Sequence, residues 1–164
     1  MAIECSSDGG TTWNVVANVP KGGNLEGISY GSPTVAYTVG DSGIFKTVNA
    51  GVADVTTITW TKLTDPPPNP GHTAATFGDV HCTDATHCWL AGDQATTGNV
   101  SVGSAAIAVT TNGTAFSMQP ACAAYGLEAV ALPPGDPLHG WAGGSTVTNP
   151  LPGVPGSMCV TSNG

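Results

Sequence analysis

Two cysteines and two histidines form the densest group of chemically capable residues in the chain. His81-Cys82 and His87-Cys88 flank the short polar segment Asp84-Ala85-Thr86. One reading is a hairpin closed by a Cys82–Cys88 disulfide. The rival is a zinc site, since imidazole nitrogen and thiolate sulfur are both good Zn²⁺ ligands. Successive side chains on a strand leave on opposite faces, so each His points away from its neighbouring Cys and four ligands do not converge. The geometry therefore favours the disulfide, and neither a resident metal nor another cofactor is expected. No Ser-His-Asp order, phosphate-cradling glycine loop or dinucleotide fingerprint stands in a suitable context.

The elements that position these groups are short and extended. Of 164 residues, 23 are Gly and 13 are Pro, and only 9% are charged, a composition that favours strands and turns over helices. Lys21, Lys46 and Lys62 are the whole basic complement, there is no arginine, and the formal net charge is −8. Such a chain has little with which to neutralise phosphates, so nucleic acid and anionic membranes are poor partners. The apolar runs are strand-sized, so no membrane-inserted helix is expected. The N-terminus shows no basic region followed by a hydrophobic segment. Five cysteines and few lysines indicate an oxidising compartment, extracellular or at the cell envelope.

An internal repeat of about fifty residues organises the strands. Leu25-Glu26-Gly27-Ile28-Ser29-Tyr30 recurs as Phe77-Gly78-Asp79-Val80-His81-Cys82 and as Leu127-Glu128-Ala129-Val130-Ala131-Leu132, at spacings of 52 and 50 residues. A second strand ending in glycine follows each time: Ala36-Tyr37-Thr38-Val39-Gly40, Trp89-Leu90-Ala91-Gly92 and Trp141-Ala142-Gly143-Gly144. A third strand then leads into a polar turn, and an aromatic-led fourth strand follows it. The turn appears as Ser6-x-Asp8-x-Gly10-x-Thr12-Trp13, Thr47-x-Asn49-x-Gly51 and Thr110-x-Asn112. Four strands per unit predict an all-β chain of propeller blades, with four antiparallel strands in each.

The first of these turns resembles the Asp-box, or BNR repeat, of sialidases, certain endoglucanases and xyloglucanases, and the Ycf48-like photosystem II assembly factors. Thr47-x-Asn49-x-Gly51 and Thr110-x-Asn112 are similar but degenerate copies. Ser6, Asp8, Gly10, Thr12, Trp13, Asn49, Gly51 and Asn112 are thus assigned to turn formation, the Asp or Asn accepting backbone N–H bonds and Gly permitting the left-handed backbone. Trp13, Trp60, Trp89 and Trp141 are read as packing residues, since they recur at matching places. The resemblance implies that Glu26 and Glu128, at the starts of first strands, and Asp41 and Asp93, after second strands, line a rim where ligands bind. A carboxylate pair there is the pool for acid–base glycoside hydrolysis. Sialidase chemistry is disfavoured, because that family clamps its substrate carboxylate with arginines and this chain has none.

In this phase residues 1–164 form one partial propeller: 3–20 supply strands three and four of a first blade, 25–66 a second blade, 72–120 a third, and 125–164 a fourth without its last strand. About four to eight blades usually close a ring, so the expectation is an incomplete ring, completed by further propeller sequence or by strand complementation between chains, as a dimer or filament. Cys122 and Cys159 form a second candidate disulfide around the last unit. Cys5 is read as the counterpart of Cys159 and is left unpaired. The 94–105 and 146–155 stretches, rich in Gly, Pro, Ser and Thr, are read as exposed insertions, and Asn99-Val100-Ser101 and Asn112-Gly113-Thr114 are sequons. The function expected is a non-catalytic secreted or envelope module for structure or binding, with itself, a glycan or another protein as partner; part of a polysaccharide-acting glycoside hydrolase is the alternative.

Overall fold

The computed structural model describes residues 2–19, 21–120, 126–145 and 156–163. Among them the regular structure is β-strand, apart from a 3-10 turn at Val55–Thr57. Strands β1 (Glu4–Cys5) and β2 (Asn14–Val15) make an N-terminal hairpin. A first sheet comes next, of β3 (Leu25–Tyr30), β4 (Ala36–Gly40), β5 (Gly43–Thr47) and β6 (Thr61–Lys62). The second sheet contains β7 (His72–Cys82), β8 (Cys88–Thr96), β9 (Asn99–Thr110) and β10 (Ser117–Gln119). The third has β11 (Gly126–Ala131), β12 (Gly140–Ser145) and β13 (Ser157–Thr161). Every sheet is antiparallel and keeps its strands in chain order, which short connections between neighbouring strands enforce.

The sheets stack face to face because their central strands are apolar on both faces. All five residues of β4 are buried. On β8, Leu90 packs towards the first sheet with Tyr37, Val39 and Ile44, while Trp89 and Ala91 pack towards the third with Leu127, Val130 and Ala142. Strict alternation thus feeds two cores from one strand. A third, smaller core under the N-terminal hairpin joins Val16 to Val55 and Ile58. Each fully buried large side chain contributes about 1.5–3 kcal/mol of transfer free energy, so the two inter-sheet cores dominate the fold.

The first strands of the three sheets lie beside one another. The backbone N–H of Cys82 donates to Ser29 Oγ at 3.0 Å, and that of Val130 donates to Asp79 Oδ2 at 2.9 Å. At Gly27 there is no room for a Cβ against the Gly78–Asp79 backbone. Each first strand also breaks register at the same place: between Leu25 and Gly27, between Phe77 and Asp79, and between Leu127 and Ala129. Opposite the irregularity stand Gly40, Gly92 and Gly144, where a Cβ would run into the carbonyl of Asn24, Thr76 or Gly126. The recurrence is thus one of backbone geometry as well as of residue type.

Two expectations from the sequence need correction. The 94–105 stretch is not an exposed insertion: β8 and β9 run on through it as a long hairpin that reverses at Gly98, whose φ of +86° an L side chain rarely adopts. Gln94 is buried within it and its Nε2 donates to Ala105 O. The 146–155 stretch lies outside the described residues. Cys5 is also not the counterpart of Cys159. Cys5 pairs with Asn14 and immediately precedes Ser6, as Val160 immediately precedes Thr161, so Cys5 matches Val160, one position further along the strand.

Candidate functional site

The Ser6–Trp13 turn is built almost wholly by its own side chains. Ser6 Oγ donates to Asp8 Oδ1 at 2.8 Å and accepts from Gly10 N at 2.7 Å. Thr12 donates its N–H to Asp8 Oδ1 at 2.9 Å and its hydroxyl to Oδ2 at 2.7 Å. Gly9 and Gly10 both have positive φ. The Thr12 N–H, followed by the Thr12 and Ser6 hydroxyls, holds the Asp8 carboxyl down at about 2. Such a carboxylate stays ionised and fully engaged, which suits a turn and not a general acid.

The degenerate copies repeat the wiring. Asn49 Oδ1 accepts from Thr47 Oγ1 at 2.9 Å and from Thr59 N at 3.2 Å, while a Cβ at Gly51 would meet Pro33 O. Asn112 Oδ1 accepts from Thr114 N and Ala115 N, both at 2.9 Å. In each turn the residue just before the aromatic donates its N–H to the Asp or Asn oxygen. Trp13, Trp60 and Phe116 are therefore equivalent, although the chain between acceptor and aromatic differs in length.

A second recurring turn is not apparent from the sequence motifs. Asp84 Oδ1 accepts from Thr86 N at 2.7 Å and His87 N at 2.9 Å, and its Oδ2 lies 2.8 Å from His87 Nδ1. Asp136 does the same with Leu138 N, His139 N and His139 Nδ1. Ser32 Oγ takes this role in the first sheet, accepting from Val35 N at 3.1 Å. Burial pushes Asp84 up, but the Thr86 hydroxyl and N–H and the His87 contacts outweigh it and hold the group at about 2. The signal for it is a polar acceptor at positions 32, 84 and 136, four residues ahead of the start of each second strand. His87 is thus committed to Asp84, and the two thiols beside it are oxidised: Cys82 and Cys88 form the expected disulfide, which displaces the zinc alternative. No group of three or more His, Cys, Asp or Glu able to hold a metal stands among the described residues. Cys159 is disulfide-bonded, Cys5 is free, and Cys122 lies outside the described residues.

Glu26 and Glu128 stand near the starts of β3 and β11, Asp41 directly follows β4 and Asp93 lies within β8, and no hydrogen bond links any two of them among the described residues. Glu26 and Glu128 occupy the register breaks of β3 and β11. Asp41 Oδ2 accepts from Asn24 N at 3.1 Å, closing the β3–β4 pair. Asp93 follows Gly92 on β8, where the packing around it pushes its pKa up while its side chain stays open to solvent.

A cavity lies elsewhere. A cleft of about 500 Å³ opens between the second and third sheets, lined by Trp89, Val130, Leu132, Ala142 and Cys159 and reaching Asn163 at the end of β13. Trp89 is 4% exposed, and its indole N–H has no hydrogen-bond partner among the described residues. The tryptophans divide in a way their repeated spacing does not foretell: Trp89 is buried, whereas Trp13 is 61% and Trp141 46% exposed. Compared with protein-family models, curated proteins and solved structures, the chain matches none. Its sheets nonetheless match one another, in turn wiring, in register break and in the glycine that faces it.

Proposed function

We propose that the chain is a non-catalytic, secreted or envelope-associated module of Asp-box propeller blades that serves structure or binding. The observation that carries this reading is the recurrence, in successive stacked sheets, of one hydrogen-bonded Asp or Asn turn together with one register break facing one obligatory glycine. These features specify an architecture of repeated sheets and use their polar groups to hold turns. The Cys82–Cys88 disulfide is compatible with an oxidising location. No helix among the described residues is long and apolar enough to cross a membrane.

The glycoside hydrolase alternative draws on Asp93, whose raised pKa is the property a general acid needs. Among the described residues no second carboxylate stands within hydrogen-bonding contact of Asp93, and Glu26 and Glu128 lie on other sheets, at the register breaks of β3 and β11. The test is turnover of neutral and acidic polysaccharides by the purified chain, alongside the Asp93→Asn variant. No release of reducing ends is expected from either; hydrolysis lost in Asp93→Asn would replace this reading with the enzymatic one.

A further inference from the structure

The polar turns place one acceptor position ahead of different residues. Asp8 precedes Gly9, Asn49 precedes Ala50 and Asn112 precedes Gly113. Asparagine is among the thermolabile residues, because the backbone nitrogen of the next residue can attack its side-chain carbonyl carbon and close a five-membered succinimide. Closure needs a leaving group on the side chain and a successor small enough for its nitrogen to approach. Asp8 lacks the first, since its turn holds it as a carboxylate at about 2. Asn49 lacks the second, because Ala50 brings a Cβ to the approach, and its Nδ2 is tied to Thr57 O at 2.9 Å. Of these three turns, the one at Asn112 meets both conditions.

The fold requires glycine at 113. Its φ is +71°, and a Cβ there would lie 2.7 Å from Tyr37 Oη, 2.8 Å from Ala85 O and 2.9 Å from Lys46 Nζ. Packing between the first and second sheets thus gives Asn112 its most reactive successor. The same packing holds the pair closed. The Gly113 N–H, source of the nucleophile, donates to Thr110 Oγ1 at 3.0 Å in a buried site. Asn112 Oδ1 accepts from Thr114 N and Ala115 N, both at 2.9 Å, which fixes the amide on the turn. Gly113 O is clamped from the first sheet by Lys46 Nζ at 2.8 Å and Tyr37 Oη at 3.0 Å. Base in solvent reaches the nitrogen only when these contacts open, so the rate of ring closure follows the population of the opened turn.

We propose that Asn112-Gly113 is a self-modification site gated by the fold, silent while the turn is closed and converted irreversibly once the clamp on Gly113 opens. Gly113 N bonds to Asn112 Cγ, the Cγ–Nδ2 bond breaks, and ammonia leaves with the proton from Gly113 N. Water then opens the succinimide at one of its two carbonyls. Addition at Cγ restores the backbone and leaves Asp at 112. Addition at the backbone carbonyl carbon leaves isoaspartate, with the chain running on through Cγ. One water is consumed and one ammonia released, with no change of oxidation state. Asp at 112 matches Asp8, which holds its own turn. Isoaspartate adds an atom to the backbone ahead of Gly113 and displaces its carbonyl from Lys46 and Tyr37. Time spent open is thereby recorded as a permanently weakened junction between the first and second sheets.

The full chain is incubated at mildly alkaline pH, folded or in urea, then digested, and the peptide containing Asn112 but not Asn163-Gly164 is followed by mass spectrometry. It should gain the mass of NH2 replaced by OH at least about tenfold faster in urea than in the folded chain, since native opening costs free energy. Tyr37→Phe keeps the ring in the core and removes both Oη bonds. It should raise the folded-state rate about fivefold, the factor carried by one net hydrogen bond. Thr110→Val, which removes the acceptor of the Gly113 N–H, should raise it at least as much. Equal rates in the folded and urea-unfolded parent, a comparison that needs no variant, would overturn the gate, as would a folded-state rate unmoved in both variants. The consequence is read on chains refolded from urea and separated by chromatography. Those with isoaspartate at 112 should unfold at lower urea than Asn112→Asp, and equal midpoints would overturn the weakened junction.

Discussion

Asp8 and Asp84 are carboxylates whose protons are expelled by the turns they hold. Each has a folded-state pKa of about 2 against an ordinary 3.8. A depressed carboxyl contributes stability that is complete above its unfolded pKa and is lost as pH falls through its folded one. The contribution of these two turns should thus be flat from pH 6 to about pH 4 and be lost towards pH 2, drawing the urea midpoint down with it, and Asp84→Asn should flatten that acid limb. An unchanged limb in the variant would show that His87 and Thr86 do not anchor the turn through Asp84. These two residues also differ in how visible they are in the sequence. Asp8 sits in a run of five specifying residue types, so chemistry and spacing reinforce each other. Asp84 carries no such run: its carboxylate caps two N–H groups by itself, with Thr86 and His87 side chains beside it, and the neighbouring His–Cys pairs draw the reading to a disulfide or its zinc rival instead.

At the scale of the element, Gly92 is where the register of β7 against β8 is decided. A Cβ there would meet Thr76 O and lie 2.7 Å from Phe77 Cα, both backbone atoms that cannot swing aside. Gly92→Ala should cost about 1–3 kcal/mol, the range for overpacking, whereas Ala at Gly98 meets no atom and suffers only from its φ. Chemical denaturation of the two variants separates collision from backbone strain. The disulfide between Cys82 and Cys88, separated by 6 residues, closes the β7–β8 hairpin. Its short loop limits the entropic gain, so a Cys82→Ala, Cys88→Ala double variant should lose about 2 kcal/mol, measured by the same denaturation. The glycines at second-strand ends are legible as a recurring residue type, but the register breaks they face are not. A bulge depends on which strand lies alongside, and sequence spacing alone does not give that. The 94–105 stretch misleads for a related reason. Its small, polar residues suit a loop in isolation, and they extend as strand because each neighbour supplies the ladder for the other.

Across the whole molecule, sheet stacking converts one position of the repeat into three environments. Tyr37 is sealed between the first and second sheets, Trp89 lies between the second and third, and Trp141 faces outward from the third. Val160, 66% exposed, continues the same outward face, and its partner across the register is Trp141. At the opposite end Ile28 and Tyr30, which occupy the positions of buried Val80 and Cys82, are exposed on the first sheet. The stack therefore presents one face made of second- and third-strand residues and another made of first-strand residues, the two kinds that meet inside it. Apolar patches of this sort mark interaction surfaces. Replacing Trp141 by Ser and Val160 by Thr removes outward apolar area while touching no inter-sheet core. Thermal stability should stay within about 0.5 kcal/mol of the parent at each site, and concentration-dependent light scattering should fall. Scattering that persists unchanged would mean that association, where it occurs, runs through the first-sheet face or the N-terminal hairpin instead. A fall accompanied by lost stability would place Trp141 in the fold, contrary to its half-open environment.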